Sequence, residues 1–95
     1  MSAPKWVTVE LVEFIHEAVI ELGGGSYGLR DNALLESALA RPQNQHSYDE
    51  EDIFQLAASY AEAIARNQAF VDGNTRTGFF VASYFLEQNG QEHQD

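Results

Sequence analysis

The stretch RNQAFVDGNTRTG, residues 66–78, decides how the chain folds. An apolar-periodic run leads up to it, Val71-Asp72-Gly73-Asn74 breaks the period, and a second apolar run leaves it. That pattern reads as helix, tight turn, helix, with the second helix beginning near Asn74. The first backbone N–H groups of that helix have no intrahelical partners and point out along its axis. Gly73 permits positive φ and lets a ligand approach the backbone closely. Turn and helix start together make a nest of donors suited to a phosphate. Arg76, in the first turn, can add a charge-assisted bond to a phosphate oxygen. Asp72 offers a hard oxygen of the kind Mg²⁺ takes when it is shared with nucleotide phosphates. Each residue also has a plainer reading: Asp72 as a helix cap, Gly73 as a turn glycine, Arg76 as a solvent-facing helix residue. Asp-Gly-Asn alone is a common turn.

Outward from this stretch, three helices are expected before the turn and one after it. The first starts behind Thr8 as N-cap, with Glu10 and Glu13 in its opening turn, where the helix dipole favours acids. Its apolar positions are Leu11, Ile15, Ala18, Val19 and Leu22, and Gly23-Gly24-Gly25 stops it. Asp31 caps the second, which buries Leu34, Leu35, Ala38 and Leu39 and is closed by Pro42. Residues 43–51 are polar and read as a loop. Ile53, Leu56, Ala57, Tyr60 and Ile64 mark the third helix; Phe79, Val81, Ala82, Phe85 and Leu86 mark the fourth, which ends at Asn89-Gly90. Strand signals are confined to Trp6-Val7-Thr8 and the polar loop. The expectation is one all-α domain spanning residues 1–95. The fourth helix is apolar around much of its circumference, including Phe79, Phe80 and Tyr84, so it calls for cover by a second copy or a partner.

Bulk composition narrows the function. Fifteen acids against five bases give a formal charge of −10, a field that repels phosphate backbones and argues against nucleic-acid binding. Two of the five bases, Arg66 and Arg76, flank the turn. There is no cysteine, which removes disulfides and thiolate metal sites and fits a reducing, cytoplasmic setting. No segment approaches the roughly 18 apolar residues of a membrane span. His16, His46 and His93 have no metal-ligand spacing. Gly23-Gly24-Gly25-Ser26 is not a phosphate loop, since no Gly-Lys-Ser/Thr follows.

Phe70-x-Asp72-Gly73-Asn74-x-Arg76 resembles the core of the Fic/Doc signature, H-x-F-x-[D/E]-[G/A]-N-[G/K]-R. GLRDNALLESALARPQ (residues 28–43) resembles the second-helix region of death-on-curing toxins, and Phe85-Leu86-Glu87-x-Asn89-Gly90 the end of their motif helix. The likeness covers residues 5–90. It implies a helical bundle around the motif loop, and transfer of a phosphate-containing group from ATP, with Mg²⁺, to a protein hydroxyl. By position, Asp72 would hold Mg²⁺, and Gly73, Asn74, Thr75 and Arg76 would cradle phosphates. Phe70 would anchor the loop. Residues 43–51 lie where related proteins carry a flap, a short hairpin that aligns the target peptide. The implied partners are a Phd-like antitoxin, which in such pairs inserts a helix into the toxin, and a bacterial target such as a translation elongation factor.

The sequence departs from that pattern in three ways. Gln68 stands where the family has the histidine that takes the proton from the attacking hydroxyl. An amide has no usable titration near neutrality, and losing a positioned general base costs about 10²–10⁴ in rate. Thr75 replaces the usual glycine or lysine. Phe79 stands at the second arginine of AMP-transferring members, which favours a Doc-like member that transfers phosphate. Finally, the sequence stops at Asp95 where Doc-type proteins continue into at least one more helix. Two functions remain open: a death-on-curing kinase attenuated or silenced by Gln68, and a non-catalytic module that binds nucleotide, antitoxin or its own copy. His16 can reach the site, or can be a half-buried helix histidine. A purely structural oligomerisation domain would leave the loop chemistry unused.

Overall fold

The computed structural model describes residues 3–90; His93 lies outside them. Four helices form: α1 (Val9–Gly23), α2 (Asn32–Ser47), α3 (Ile53–Asn67) and α4 (Asn74–Gln88). Their starts are set by local side-chain chemistry. The Thr8 side chain accepts from the Leu11 N–H, Asp31 from Leu34, and Asp52 from Phe54. Each satisfies a donor that the helix leaves orphaned. α1 ends as Gly24 enters positive φ at 87°.

The apolar faces close on one core. Helices α3 and α4 pack along one another, α2 lies along α3, and α1 rests on α4. Val12, Leu35, Leu56, Tyr60, Val81 and Phe85 are wholly enclosed. Tyr60 packs on Phe85 with ring centroids 5.0 Å apart, and Trp6 stacks on the other side of Phe85 at 5.9 Å. The N-terminal arm forms no strand. It is pinned instead by the Val7 N–H on the Tyr60 hydroxyl (3.0 Å) and by Asn89, whose side chain bonds both the N–H and the carbonyl of Lys5.

Two expectations fail around residues 42–51. Pro42 does not close the second helix but sits buried inside it, and the helix runs on to Ser47. Proline there removes one hydrogen bond to the preceding turn, but its ring adds to the core, and bonding resumes beyond it. The polar segment is therefore helical to Ser47 and then folds back, with Tyr48, Asp49 and Glu50 N–H groups returning to the carbonyls of Asn44, Gln45 and His46. Asp49 turns the chain at φ 77°. No flap hairpin is present among the described residues, where the sole extended pairing is the bridge between Leu29 and Phe70.

Burial on α4 is one-sided. Thr77, Gly78, Val81 and Phe85 face inward, while Phe79 and Phe80 are 65% and 52% exposed. Phe80 and Tyr84 join Phe14, Ile15 and Leu22 of α1 in an apolar groove of about 580 Å³. No helix among the described residues is long and apolar enough to cross a membrane.

The α3–α4 crossing depends on Gly78, where a Cβ would come within 2.7 Å of the Ala61 carbonyl oxygen. Gly78→Ala is expected to destabilise the fold by about 1–3 kcal/mol through overpacking. Thermal unfolding should show this as a Tm lower by several degrees, about 4–8 °C per kcal/mol for a domain of this size. Burial pushes the Tyr60 hydroxyl above its usual range, offset in part by the Val7 N–H. Its contribution to stability is therefore complete below the unfolded value of 10.0 and is lost as pH rises through the higher folded value. Urea midpoints for wild type and Tyr60→Phe should diverge at neutral pH and draw together above pH 10.

Candidate functional site

The turn between α3 and α4 is built around one buried amide. The Asn74 side chain accepts from the Phe70 N–H at 3.0 Å and donates to the Phe70 carbonyl at 2.9 Å. These two bonds tie the first turn of α4 to the chain leaving α3 and hold residues 71–73 in a tight arc. Phe70 is 2% exposed, and its ring stacks on His16 of α1 at a centroid distance of 3.9 Å. Gly73 is the N-cap of α4 at φ 73°, and no side chain caps that helix. The first backbone bond into α4 is from the Thr77 N–H to the Gly73 carbonyl, so the N–H groups of Asn74, Thr75 and Arg76 keep no backbone partner. They face a pocket of about 310 Å³ lined by Gln68 and residues 71–76.

The acceptors of the loop, by contrast, are turned away and satisfied by the first half of the chain. The Ala69 carbonyl takes the Arg30 and Asp31 N–H groups, and the Val71 N–H donates to the Gly28 carbonyl at 3.0 Å. The Gln68 carbonyl takes both Nε and Nη2 of Arg30. The Asp72 carbonyl takes Nε2 of His16 at 2.7 Å. With the carbonyls of residues 68, 69 and 72 engaged elsewhere, the N–H groups at the start of α4 and the Arg76 guanidinium are left to face an anion, with the Asp72 carboxylate at the rim.

Asp72 is exposed at the rim. Its Oδ1 accepts from the Gly73 N–H at 2.9 Å and its Oδ2 from the Ser26 N–H at 3.2 Å. Lone pairs remain on both oxygens, enough for a hard cation that arrives with phosphate ligands of its own. Among the described residues no cluster of three or more His, Asp or Glu could hold a metal alone. Arg76 lies over the C-terminus of α1, its Nη2 donating to the Gly24 carbonyl at 3.0 Å, where its charge complements the helix dipole. Thr75 is exposed on the pocket wall.

Gln68 is the C-cap of α3 in the left-handed region, φ 55° and ψ 44°, a conformation that costs a non-glycine residue about 1 kcal/mol. Its amide nitrogen donates back to the Ala65 carbonyl at 2.6 Å, and its Oε1 meets Asn74 Nδ2 at 3.4 Å. The side chain is thus used as a helix stop and carries no base. His46 is packed edge-on against Trp6, away from the loop.

Sequence reasoning missed Gly24, Ser26 and Arg30, and left His16 undecided. Each is 38 to 56 residues from the loop group it touches. Gly23 and Gly25 border the site: a Cβ on Gly25 would lie 2.9 Å from Asp72 Oδ2, and one on Gly23 would press on the Arg76 guanidinium, whereas the space beside Gly24 is open. Glycine content was visible, but nothing local said what the glycines face.

Comparison with known proteins fits this geometry. Residues 6–86 match the model of the Fic/DOC family. The chain is 38% identical over 87 residues to the Protein kinase doc of Escherichia phage P1, covering 90% of this chain and 69% of that protein. It is 42% identical over 71 residues to the Toxin Doc of Mycolicibacterium smegmatis, covering 70% of this chain and 53% of that protein. The chain therefore spans about half to two thirds of the length of these relatives. With the family model matched across four helices and the motif loop between the last two, this chain belongs to the Fic/DOC family.

Proposed function

We propose that the chain is the toxin component of a toxin–antitoxin pair, binding ATP with Mg²⁺ at the α3–α4 loop and acting on a protein hydroxyl. The observation that carries this reading is the uncapped N-terminus of α4, with three free N–H groups facing a pocket beside Asp72 and Arg76. The likeness to the Protein kinase doc of phage P1 supports phosphate as the group moved. Phe79, exposed on α4, offers no second arginine of the kind that AMP transfer uses.

In this reading the phosphate oxygens rest on the Asn74, Thr75 and Arg76 N–H groups, and the Arg76 guanidinium supplies charge as the leaving oxygen develops it. Asp72 would hold Mg²⁺ together with the phosphates, and the ion would supply electrostatic stabilisation there. The substrate hydroxyl oxygen forms a bond to the γ-phosphorus, the bond to the bridging oxygen breaks, ADP leaves and the hydroxyl proton is released. Gln68 cannot take that proton, and the Nε2 of His16 is committed to the Asp72 carbonyl. Transfer is slow for that reason, and the chain is an attenuated or silent kinase. The apolar lining of the groove between α1 and α4 supports reading it as the seat of an antitoxin helix. A second reading, a non-catalytic module that binds nucleotide or antitoxin, draws on the same Gln68.

Transfer of label from γ-labelled ATP with Mg²⁺ into a bacterial lysate separates the two. Gln68→His should raise labelling by about 10²–10⁴ over wild type; no labelling by either protein would remove the kinase and leave the binding module. Calorimetry should show ATP–Mg²⁺ binding that Arg76→Ala weakens about 10- to 100-fold, the worth of a charge-assisted bond. Asp72→Asn should remove the dependence on Mg²⁺.

A further inference from the structure

The Asp72–Gly73 peptide is the one unit of the loop whose orientation its own sequence does not fix. Gly73 sits at φ 73° and ψ 20°, and glycine takes positive and negative φ about equally well. A half-turn of this peptide changes mainly ψ of Asp72 and φ of Gly73, so it meets little local resistance. The two orientations differ in what faces the pocket. In a trans peptide the carbonyl and the N–H point in opposite directions. One orientation offers the Gly73 N–H to an incoming phosphate; the other offers the Asp72 carbonyl, which repels it.

The Asp72 carbonyl is held on the α1 side by the Nε2 of His16 at 2.7 Å. A carbonyl only accepts, so Nε2 carries the proton and donates. His16 is 2% exposed and its ring lies parallel to Phe70, 9° between planes. Its aim is therefore fixed by packing. The opposite end of the peptide, the Gly73 N–H, is turned to the rim, where it meets Asp72 Oδ1 at 2.9 Å. A side chain at Gly73 would be strained at φ 73° and would press on the Ile20 Cδ1 methyl at 2.9 Å, so the position favours glycine and does not fix its own φ. The donor has to come from elsewhere in the fold.

We propose that His16 is a positioning residue of the anion cradle: by holding the Asp72 carbonyl it keeps the Gly73 N–H turned outward, where it becomes a fourth donor beside those of residues 74–76 once a phosphate oxygen takes the place of Asp72 Oδ1. This rests on the reading that the loop binds phosphate. The role is that of a hydrogen-bond donor, so a side chain with a donor at the same reach replaces it, and an aromatic ring without one does not.

The test compares wild type, His16→Phe and His16→Gln by calorimetry with inorganic pyrophosphate and with ATP–Mg²⁺, alongside thermal unfolding and amide hydrogen exchange at Gly73. His16→Phe keeps a ring against Phe70 but has no donor. A loop left mostly in the flipped orientation binds about tenfold more weakly, because only the competent fraction binds. Gly73 exchange should quicken in the same variant. His16→Gln, whose amide nitrogen takes the place of Nε2, should bind within about threefold of wild type by the same population argument. Unchanged affinity in His16→Phe overturns the inference alone. So does equal weakening in both variants in proportion to lost Tm, which marks a packing role. Absence of pyrophosphate and ATP binding in wild type overturns the phosphate reading and this inference with it. If His16→Phe does not fold, His16→Asn, too short to reach the carbonyl, should bind about tenfold more weakly than His16→Gln; equal affinities overturn the inference.

Discussion

The structure depends on a helix that begins without a side-chain cap. α4 starts behind Gly73, an N-cap with no side chain, so the N–H groups of Asn74, Thr75 and Arg76 stay unmet, while Asn74, the first helical residue, spends both ends of its amide on Phe70. A glycine start forgoes only about a few tenths of a kcal/mol relative to a side-chain cap. The buried two-bond ring between Asn74 and Phe70 offsets that by fixing the path of the chain, so the donors stay open without the turn being loose. Function and stability are thereby assigned to different atoms of the same residue: the side chain of Asn74 holds the fold, and its backbone faces the pocket.

Everything around the turn serves the same division between donors and acceptors. Four loop carbonyl and N–H groups, at Gln68, Ala69, Val71 and Asp72, are engaged by Gly28, Arg30, Asp31 and His16. Asp72 and Arg76 fold onto the glycine run at the end of α1, Asp72 against Gly25 and the Arg76 guanidinium against Gly23 and the Gly24 carbonyl. The crossing of α3 and α4 is tight at Gly78 for a related reason: the turn joins their ends in six residues, and the helices must approach closely for so short a joint to close. The apolar groove between α1 and α4 lies on the far side of Arg76 from the pocket, so one side chain borders both surfaces.

Much of this was legible in the sequence where the physics is local. Thr8 and Asp31 cap the helices they precede, and the apolar periods of α2 and α3 give most of their buried faces, although Leu34 and Ile53 are only partly buried and Ser59 and Ala63 join the core unannounced. The motif stretch located the turn and the helix start. Pro42 misled because its local meaning, a helix stop, yields to burial: the ring fills the core and the lost bond is one among many. Phe79 misled because apolar type does not give direction, and α4 has more apolar residues than inward positions. Ser26 and Arg30 could not be tied to the loop beforehand, and His16 stayed undecided, because only the packing of the helices brings them to it. The structure adds to the reading of Gln68: besides lacking a base, it is a left-handed helix stop whose amide is already bonded.

The central claim is that the open N–H groups at the start of α4 bind phosphate. An NMR titration of the ¹⁵N-labelled chain with inorganic pyrophosphate addresses it directly, since amide protons report the donors themselves. Saturable downfield shifts concentrated on Gly73, Asn74, Thr75 and Arg76 would bear the account out. Shifts absent from these amides, or centred instead on the polar surface of α2 around Arg41 and Tyr48, would contradict it.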